Sequence, residues 1–212
     1  MRVLITTSGI GSRLGERTKY TNKCLVRVGD KPAISHIVEN YPKDTTFIIT
    51  LGYYGNHVRD FLLLAYPNRK FIFFDVKKYT GTGSSLLHSI REARAELQCP
   101  FIFHACDAII LDKINNPQNE NWVLGCDIKP ADQYRTLNIT GDGEKFLSKI
   151  NEKGEIFFDL AYPGVLGINQ YSLFWKCLDE VINNNDTQLS DCHVIEKMMT
   201  KGEQFRLYQT KK

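Results

Sequence analysis

The chain begins with the run RVLITTSGIGSRL at residues 2–14, and Lys23 follows shortly after it. The apolar part of this run, Val3-Leu4-Ile5, predicts a short buried strand over Arg2–Thr7. The loop after the strand has two glycines and small neighbours, so its successive backbone N–H groups can surround a phosphate chain. Arg13 can hold phosphate oxygens with its planar fork, and Lys23 can add a compact positive charge. We therefore predict that this end of the chain binds a nucleoside triphosphate.

The first half of the chain alternates between segments with strand and helix periodicity. Strands are expected at Arg2–Thr7, Thr46–Leu51, Lys70–Asp75 and Pro100–Cys106, and helices at Ala33–Tyr41, Gly55–Ala65 and Ser84–Leu97. Strands that are apolar on both faces and separated by helices indicate a parallel sheet covered by helices on both sides.

The second half changes character and favours a mixed sheet. Strands are expected at Trp122–Asp127, Gly164–Ile168 and Phe205–Tyr208, a hairpin at Tyr134–Ile139 and Lys145–Asn151, and helices at Tyr171–Ile182 and Leu189–Lys201. The predicted fold class is therefore α/β, a three-layer α/β/α Rossmann-like domain with a mostly parallel central sheet and a small mixed-β lobe.

Size and composition exclude several classes of protein. The chain has 212 residues, of which 42% are hydrophobic and 24% are charged, as in ordinary globular domains. The net charge of +3 is too small to indicate a nucleic-acid partner. The start of the chain does not read as a signal peptide and no apolar run reaches membrane-spanning length, so we expect no membrane partner. The six cysteines lack metal-finger or C-x-x-C spacing, which favours a cytoplasmic location.

An acid also follows one of the central strands. Asp107 comes directly after the predicted strand Pro100–Cys106, and ligands of open α/β sheets lie at the carboxyl ends of strands. We therefore expect Asp107 and the glycine loop to share one site. His104, inside the same apolar strand, is predicted to be a core histidine with satisfied hydrogen bonds. The loop is not a P-loop, because no Gly-Lys-[Ser/Thr] follows at the required spacing.

Taken in order, these motifs resemble those of the sugar-1-phosphate nucleotidylyltransferase (NTP transferase) family, within the nucleotide-diphospho-sugar transferase superfamily. The matching text is residues 6–14, Asn22-Lys23, Gly29-Asp30-Lys31-Pro32, Gly81–Leu86, Phe101–Asp107, Glu152-Lys153 and Pro163–Ile168. Each motif alone is modest, but their order over nearly the whole chain makes the resemblance specific.

The resemblance implies a Mg²⁺-dependent nucleotidyltransferase. It would move a nucleoside monophosphate from a triphosphate to a phosphorylated acceptor such as a sugar 1-phosphate, with release of pyrophosphate. The implied catalytic residues are Arg13, Lys23 and Asp107, and Asp107 is also the implied metal ligand. The implied nucleotide-binding residues are Thr6, Thr7, Ser8, Gly9, Ile10, Gly11, Ser12, Arg13, Lys23, Gly81, Thr82, Gly83 and Ser84. The implied acceptor-binding residues are Glu152, Lys153 and Gly164.

On this interpretation residues 1–212 form a single nucleotidyltransferase domain. Its nucleotide-binding half is 1–111 and its acceptor-binding half is 112–212. Products of this family feed capsule, lipopolysaccharide or cell-wall assembly, so a role in polysaccharide biosynthesis is implied as well.

Two positions depart from the family pattern. Asn22 stands where the family has a proline, which only stiffens the loop, so Lys23 is expected to keep its role. The family also has a second metal-binding aspartate, after a tryptophan that follows the last strand of the lobe. The sequence reaches Lys212 directly after Phe205–Tyr208 without it. We therefore expect a chain truncated at its carboxyl end, and the activity of this polypeptide remains open.

Other functions stay open on the sequence alone. The alternative from another class is a non-catalytic nucleotide-binding regulatory domain of the same fold. Phosphocholine, a phosphoamino acid or a polyol phosphate could replace the sugar 1-phosphate as acceptor. The sequence fixes neither the base, nor the acceptor, nor the oligomeric state.

Overall fold

A mixed sheet runs through the centre of the protein. The computed structural model describes residues 1–114, 119–128, 132–184 and 189–210. The strands in these ranges are β1 Arg2–Thr6, β2 Arg27–Val28, β3 Lys31–Pro32, β4 Thr46–Leu51, β5 Lys70–Asp75, β6 Phe101–Ala105, β7 Asn121–Cys126, β8 Arg135–Thr140, β9 Phe146–Asn151, β10 Leu160–Tyr162, β11 Val165–Ile168 and β12 Phe205–Thr210. The helices are α1 Ala33–Asn40, α2 Gly55–Ala65, α3 Leu86–Glu92, α4 Tyr171–Asn184 and α5 Asp191–Thr200.

The first half of the sheet is parallel, as predicted. Strand β1 pairs in parallel with β4 on one side and β6 on the other, and β5 extends the sheet beyond β4. Alternate residues of β1 enter two separate cores, Leu4 on one face and Val3 and Ile5 on the other. Helices α3, α4 and α5 cover the first face, and α1 and α2 cover the second. The predicted three layers are confirmed.

The lobe continues the same sheet. Within the described residues the sheet has ten strands, in the order β10-β8-β9-β12-β7-β11-β6-β1-β4-β5. Strand β11 joins the two parts, because it is antiparallel to β6 on one side and to β7 on the other. The predicted hairpin is formed by β8 and β9. Strand β10 and the two-residue pair β2–β3 were not predicted, because they are too short to show a periodicity.

One helix is shorter than its pattern predicts. The pattern indicates a helix over Ser84–Leu97, but α3 spans only Leu86–Glu92, and a 3₁₀ turn at Arg94–Glu96 follows. The side chain of Ser85 accepts a hydrogen bond from the backbone N–H of His88 and caps the start. Beyond the turn, the Trp175 ring N–H donates to the Leu97 carbonyl at 2.9 Å. This hydrogen bond joins residues far apart in the sequence and holds the end of the segment in place.

None of the helices in the described part of the chain combines the length and the apolar character that crossing a bilayer requires.

Candidate active site

The candidate site lies where the strand order reverses. The chain runs from β1 outward to β4 and β5, and then returns to β6 on the other side of β1. In such sheets the crevice at the carboxyl ends of the two strands that flank the reversal is the usual ligand position. The glycine loop follows β1 and Asp107 follows β6, so the two predicted features are neighbours.

Lys23 and Asp107 are in direct contact. The Lys23 Nζ atom donates to Asp107 Oδ2 at 3.1 Å, and the Asp107 side chain is 56% exposed. The Cys106 sulfur and the Asp107 carboxylate raise the pKa of Lys23, and burial acts in the opposite direction. Burial raises the pKa of Cys106 to about 11, so its thiol is neutral at pH 7. At neutral pH the partner charge of Lys23 is therefore Asp107.

The glycine loop packs against Lys23. Gly11 has φ +71°, in the left-handed region that favours glycine, and a Cβ atom there would lie 2.8 Å from the Cβ of Lys23. The hydroxyl of Thr18 donates to the carbonyls of Gly11 and Gly15, each at 3.2 Å. A 3₁₀ segment at Ser12–Thr18 follows the loop, and its exposed side chains include Arg13.

The first residues of the predicted phosphate loop are buried, and two of them form hydrogen bonds within the protein. The backbone N–H and the hydroxyl of Thr7 both donate to the Thr50 carbonyl at 2.9 Å. The Ser8 hydroxyl lies 2.6 Å from the hydroxyl of Ser89 on α3. Thr6 is also buried, whereas Gly9, Ile10, Gly11 and Ser12 are half-buried or exposed. The part of the loop open to a ligand therefore begins at Gly9.

Asn22 is a structural residue of the site that the sequence reasoning missed. Its side chain is fully buried, and its Nδ2 donates to the carbonyls of Thr7 and Tyr53, both at 2.6 Å. Its Oδ1 accepts from the backbone N–H of Cys24 at 3.0 Å. One amide thus joins the segment that carries Lys23 to the ends of β1 and β4. The sequence reasoning expected only that Lys23 keeps its role without the family's proline, and it did not predict these hydrogen bonds of Asn22.

A cleft of about 570 Å³ opens beside the ion pair. Four predicted site residues line it together, namely Arg13, Asp107, Lys153 and Gly164. Gly164 has φ +87°, and a Cβ atom there would lie 2.8 Å from the Cβ of Ala105 on β6. The Ala105 backbone N–H donates to the Gly164 carbonyl at 2.8 Å, which fixes this wall of the cleft to the strand that ends before Asp107.

Glu152 and Lys153 face different surroundings. The Glu152 carboxylate accepts from Arg135 Nη1 at 2.6 Å and is not among the residues that line the cleft. Lys153 does line the cleft, and burial together with the charges of Arg13 and Arg135 lowers the pKa of Lys153. Three cations therefore influence one end of the cleft. Arg135 was missed by the sequence reasoning.

The predicted nucleotide-binding segment Gly81–Ser84 lies apart from this cleft. Gly81, Thr82 and Gly83 form an exposed turn, in which the Ser84 hydroxyl and backbone N–H both bind the Gly81 carbonyl. Gly83 borders a separate depression of about 370 Å³ with Lys78 and Arg91. The structure connects this turn to the glycine loop through α3, whose Ser89 contacts Ser8.

His104 is a core residue, as predicted. Its Nδ1 accepts from the Tyr41 hydroxyl at 2.8 Å, and its Nε2 donates to the Ala108 carbonyl at 2.7 Å. Burial lowers the pKa of His104 to about 4, so the ring is neutral. The bond to Ala108 holds the backbone that directly follows Asp107.

No protein-family model matches the sequence. Among curated proteins, the bifunctional protein GlmU of Methanococcus vannielii is 26% identical over 167 residues, covering 73% of this chain and 40% of the relative. The glucose-1-phosphate cytidylyltransferase of Salmonella typhimurium is 37% identical over 65 residues, 29% of this chain and 24% of the relative. The chain thus spans less than half the length of these curated relatives.

Solved structures show the same fold. A UDP-glucose pyrophosphorylase complexed with UDP-glucose has a TM-score of 0.77 at 18% identity, over 99% of this chain and 90% of that one. The CTP:phosphocholine cytidylyltransferase of Streptococcus pneumoniae has a TM-score of 0.72 at 18% identity, over 100% of this chain and 90% of that one. The solved structures show the fold, and the curated relatives support the resemblance to the sugar-1-phosphate nucleotidyltransferase family that the sequence motifs carry.

Proposed function

We propose that this protein transfers a nucleoside monophosphate from a triphosphate to a phosphorylated acceptor, a sugar 1-phosphate in the first place, and releases pyrophosphate. The observation that best supports this proposal is the ion pair of Lys23 and Asp107 at 3.1 Å, which lies between the glycine loop and the cleft. Residues 1–111 hold the nucleotide in this proposal, and residues 112–212 hold the acceptor.

The reaction requires positioning of two anions that repel each other. A phosphate oxygen of the acceptor attacks the α-phosphorus, the bond from that phosphorus to the oxygen bridging to the β-phosphate breaks, and pyrophosphate leaves with that oxygen. No covalent enzyme intermediate is needed, so catalysis rests on orientation and charge neutralisation. The open part of the loop, Gly9–Ser12, and Arg13 bind the leaving phosphates. Lys23 neutralises the α-phosphate as negative charge builds on it.

Mg²⁺ fits this site through Asp107. The carboxylate is more than half exposed at a strand end, and oxygen ligands are those that Mg²⁺ prefers. Within the described residues, no three His, Cys, Asp or Glu side chains cluster as a metal site, so phosphate oxygens and water would complete the coordination. When bound, the ion supplies charge neutralisation of the phosphates. Lys23, which contacts Oδ2 of that carboxylate, would neutralise the α-phosphate.

The experiment is a pyrophosphate-release assay. It pairs each common nucleoside triphosphate with sugar 1-phosphates, phosphocholine and polyol phosphates. We expect one pair to give turnover, and we expect Lys23→Met and Asp107→Asn each to lower it about 100-fold or more, the order found for lost electrostatic stabilisation. Lys19→Met is the matched control, because Lys19 is an exposed lysine whose ion pair is with Glu16, itself an exposed residue.

The outcomes separate the two classes of function. Triphosphate binding without pyrophosphate release from any pair would favour the regulatory domain. Turnover that survives in both Lys23→Met and Asp107→Asn would refute the assigned site. A role in polysaccharide biosynthesis follows only from the family resemblance, and a cytoplasmic location from the cysteine pattern. Both belong to the same proposal.

A further inference from the structure

The cleft has a cation that neither the family motifs nor the catalytic scheme uses. Arg135 is the first residue of β8, and its side chain is only 17% exposed. Antiparallel pairing sets it opposite Tyr162 on β10. On the other side, Thr136 pairs with Asn151, so the next residue outward, Arg135, faces Glu152. Arg135 is therefore held between two strands at the wall of the cleft.

One hydrogen-bond partner fixes the Arg135 guanidinium, and several of its N–H donors stay available for a ligand. Glu152 accepts from Arg135 Nη1 at 2.6 Å, while the Glu152 side chain itself is 74% exposed. Among the described residues, Glu152 is the one hydrogen-bond partner of this guanidinium. A guanidinium has five N–H donors in a rigid fork, so several remain for a ligand.

The cleft around Arg135 carries both signs of charge, since the carboxylates Asp107, Asp127 and Asp191 line it with the cations Arg13 and Lys153. Asp107 is paired with Lys23, and Asp191 accepts from the Tyr162 hydroxyl at 2.5 Å. Lys153 follows Glu152 in the chain and lines the same cleft, as does Arg13. Burial lowers the pKa of Lys153 most, and the charges of Arg13 and Arg135 lower it further, so both arginines act on Lys153. Cations held near one another in a recess fit a ligand that carries more than one negative charge, and a phosphate monoester is a dianion with oxygens that match the fork.

We propose that Arg135 and Lys153 together bind the phosphate of the acceptor, and that Glu152 holds the guanidinium in place for it. Glu152 is then a positioning residue rather than a ligand of acceptor hydroxyls. This inference rests on the proposed function, which supplies a phosphorylated acceptor to the cleft, but the phosphate site can be tested without turnover.

The equilibrium test uses methyl phosphate, a monoester with no sugar and no hydroxyl, titrated into the full chain by calorimetry. We expect Arg135→Met to weaken binding at least 10-fold, and Arg135→Lys to weaken it about threefold, because the charge stays but the fork is lost. Lys149→Met is the matched control, since Lys149 is exposed on the neighbouring strand and does not line the cleft. Equal affinities of wild type, Arg135→Met and Lys149→Met would overturn the proposal.

The kinetic test separates acceptor from nucleotide. We expect Arg135→Met to raise the KM for the phosphorylated acceptor at least 10-fold and to change the KM for the triphosphate less than twofold. Equal increases in both values would overturn the proposal. Should Arg135→Met fail to fold, Arg135→Lys is used in the same test, and we then expect the KM for the phosphorylated acceptor to rise about threefold. If no acceptor turns over, the proposed function fails, yet loss of methyl phosphate binding in Arg135→Met would still support the anion site.

Discussion

Replacing Asn22 with alanine removes three hydrogen bonds from the interior of the site in one step. Two backbone carbonyls, of Thr7 and Tyr53, lose their donor, and the backbone N–H of Cys24 loses its acceptor. Asn22 is fully buried, so water does not reach these groups without a rearrangement. We therefore expect both the stability and the geometry around Lys23 to suffer.

The size of the loss follows from the number of bonds. Each contributes about 1 kcal/mol net, so we expect Asn22→Ala to lower the free energy of unfolding by about 3 kcal/mol. For a chain of this length the same loss lowers Tm by roughly 6 to 12 °C. Asn22→Asp keeps the acceptor but turns a carboxylate oxygen toward two carbonyl oxygens, so its loss is larger. Asn22→Pro, the family residue, has none of these groups and is expected to behave like Asn22→Ala.

The assay is urea unfolding followed by circular dichroism, with Gln98→Ala as the control. Gln98 is an exposed amide that donates to the Arg94 carbonyl at 2.8 Å, so we expect Gln98→Ala to change the free energy of unfolding by less than about 0.5 kcal/mol. Pyrophosphate release by the same variants reports whether Lys23 keeps its position. The reasoning is refuted if Asn22→Ala or Asn22→Pro is as stable as the Gln98→Ala control.

Two further substitutions test how the site is supported. Gly11→Ala forces a Cβ atom into the left-handed region at 2.8 Å from Lys23 Cβ, so we expect a loss of at least about 1 kcal/mol in urea unfolding. Gly9→Ala, where a Cβ has open space, should be nearly neutral in stability. Neutral His104 has a folded pKa of about 4, below the unfolded value near 6.5, so the unfolded chain binds the proton first as pH falls. We expect stability to fall by about 3 kcal/mol between pH 6.5 and 4, and this slope to be absent in His104→Gln; equal slopes would contradict the assignment.

The sequence alone was sufficient for the parallel half of the fold because each strand there is apolar on both faces. Such strands must be covered on both faces, and the helices between them provide the cover. Because helical crossovers between parallel strands are right-handed, few sheet topologies remain possible. Lys23 and Asp107 were predicted to converge for a related reason. The carboxyl ends of neighbouring parallel strands meet at one edge, whatever the details of packing. The observed 3.1 Å contact follows from that rule together with the fold of the loop.

Asn22 and Arg135 escaped prediction because their partners are set by tertiary register. The carbonyls that bind Asn22 belong to residues 7 and 53, which no local pattern connects. For Arg135 the obstacle is a register shift between Asn138 and Ile139 in the hairpin. Pairing near the turn sets Thr140 against Phe146, and counting outward from there would place Arg135 opposite Asn151. The shift moves the opposite residue to Glu152, which creates the ion pair.

The sheet itself aligns the two halves of the proposed reaction. Strand β6 pairs with β1, which the glycine loop follows, and with β11, which is preceded by Gly164 in the wall of the cleft. Neighbouring strands lie about 4.8 Å apart, so Asp107, just beyond the end of β6, lies between the glycine loop and the Gly164 side of the cleft at a spacing set by backbone hydrogen bonds. A reaction that depends on bringing two anions together gains most from such fixed spacing. Substitutions that disturb the exposed groups at this edge are therefore expected to reduce turnover while the buried ladder, and with it the stability, remains intact.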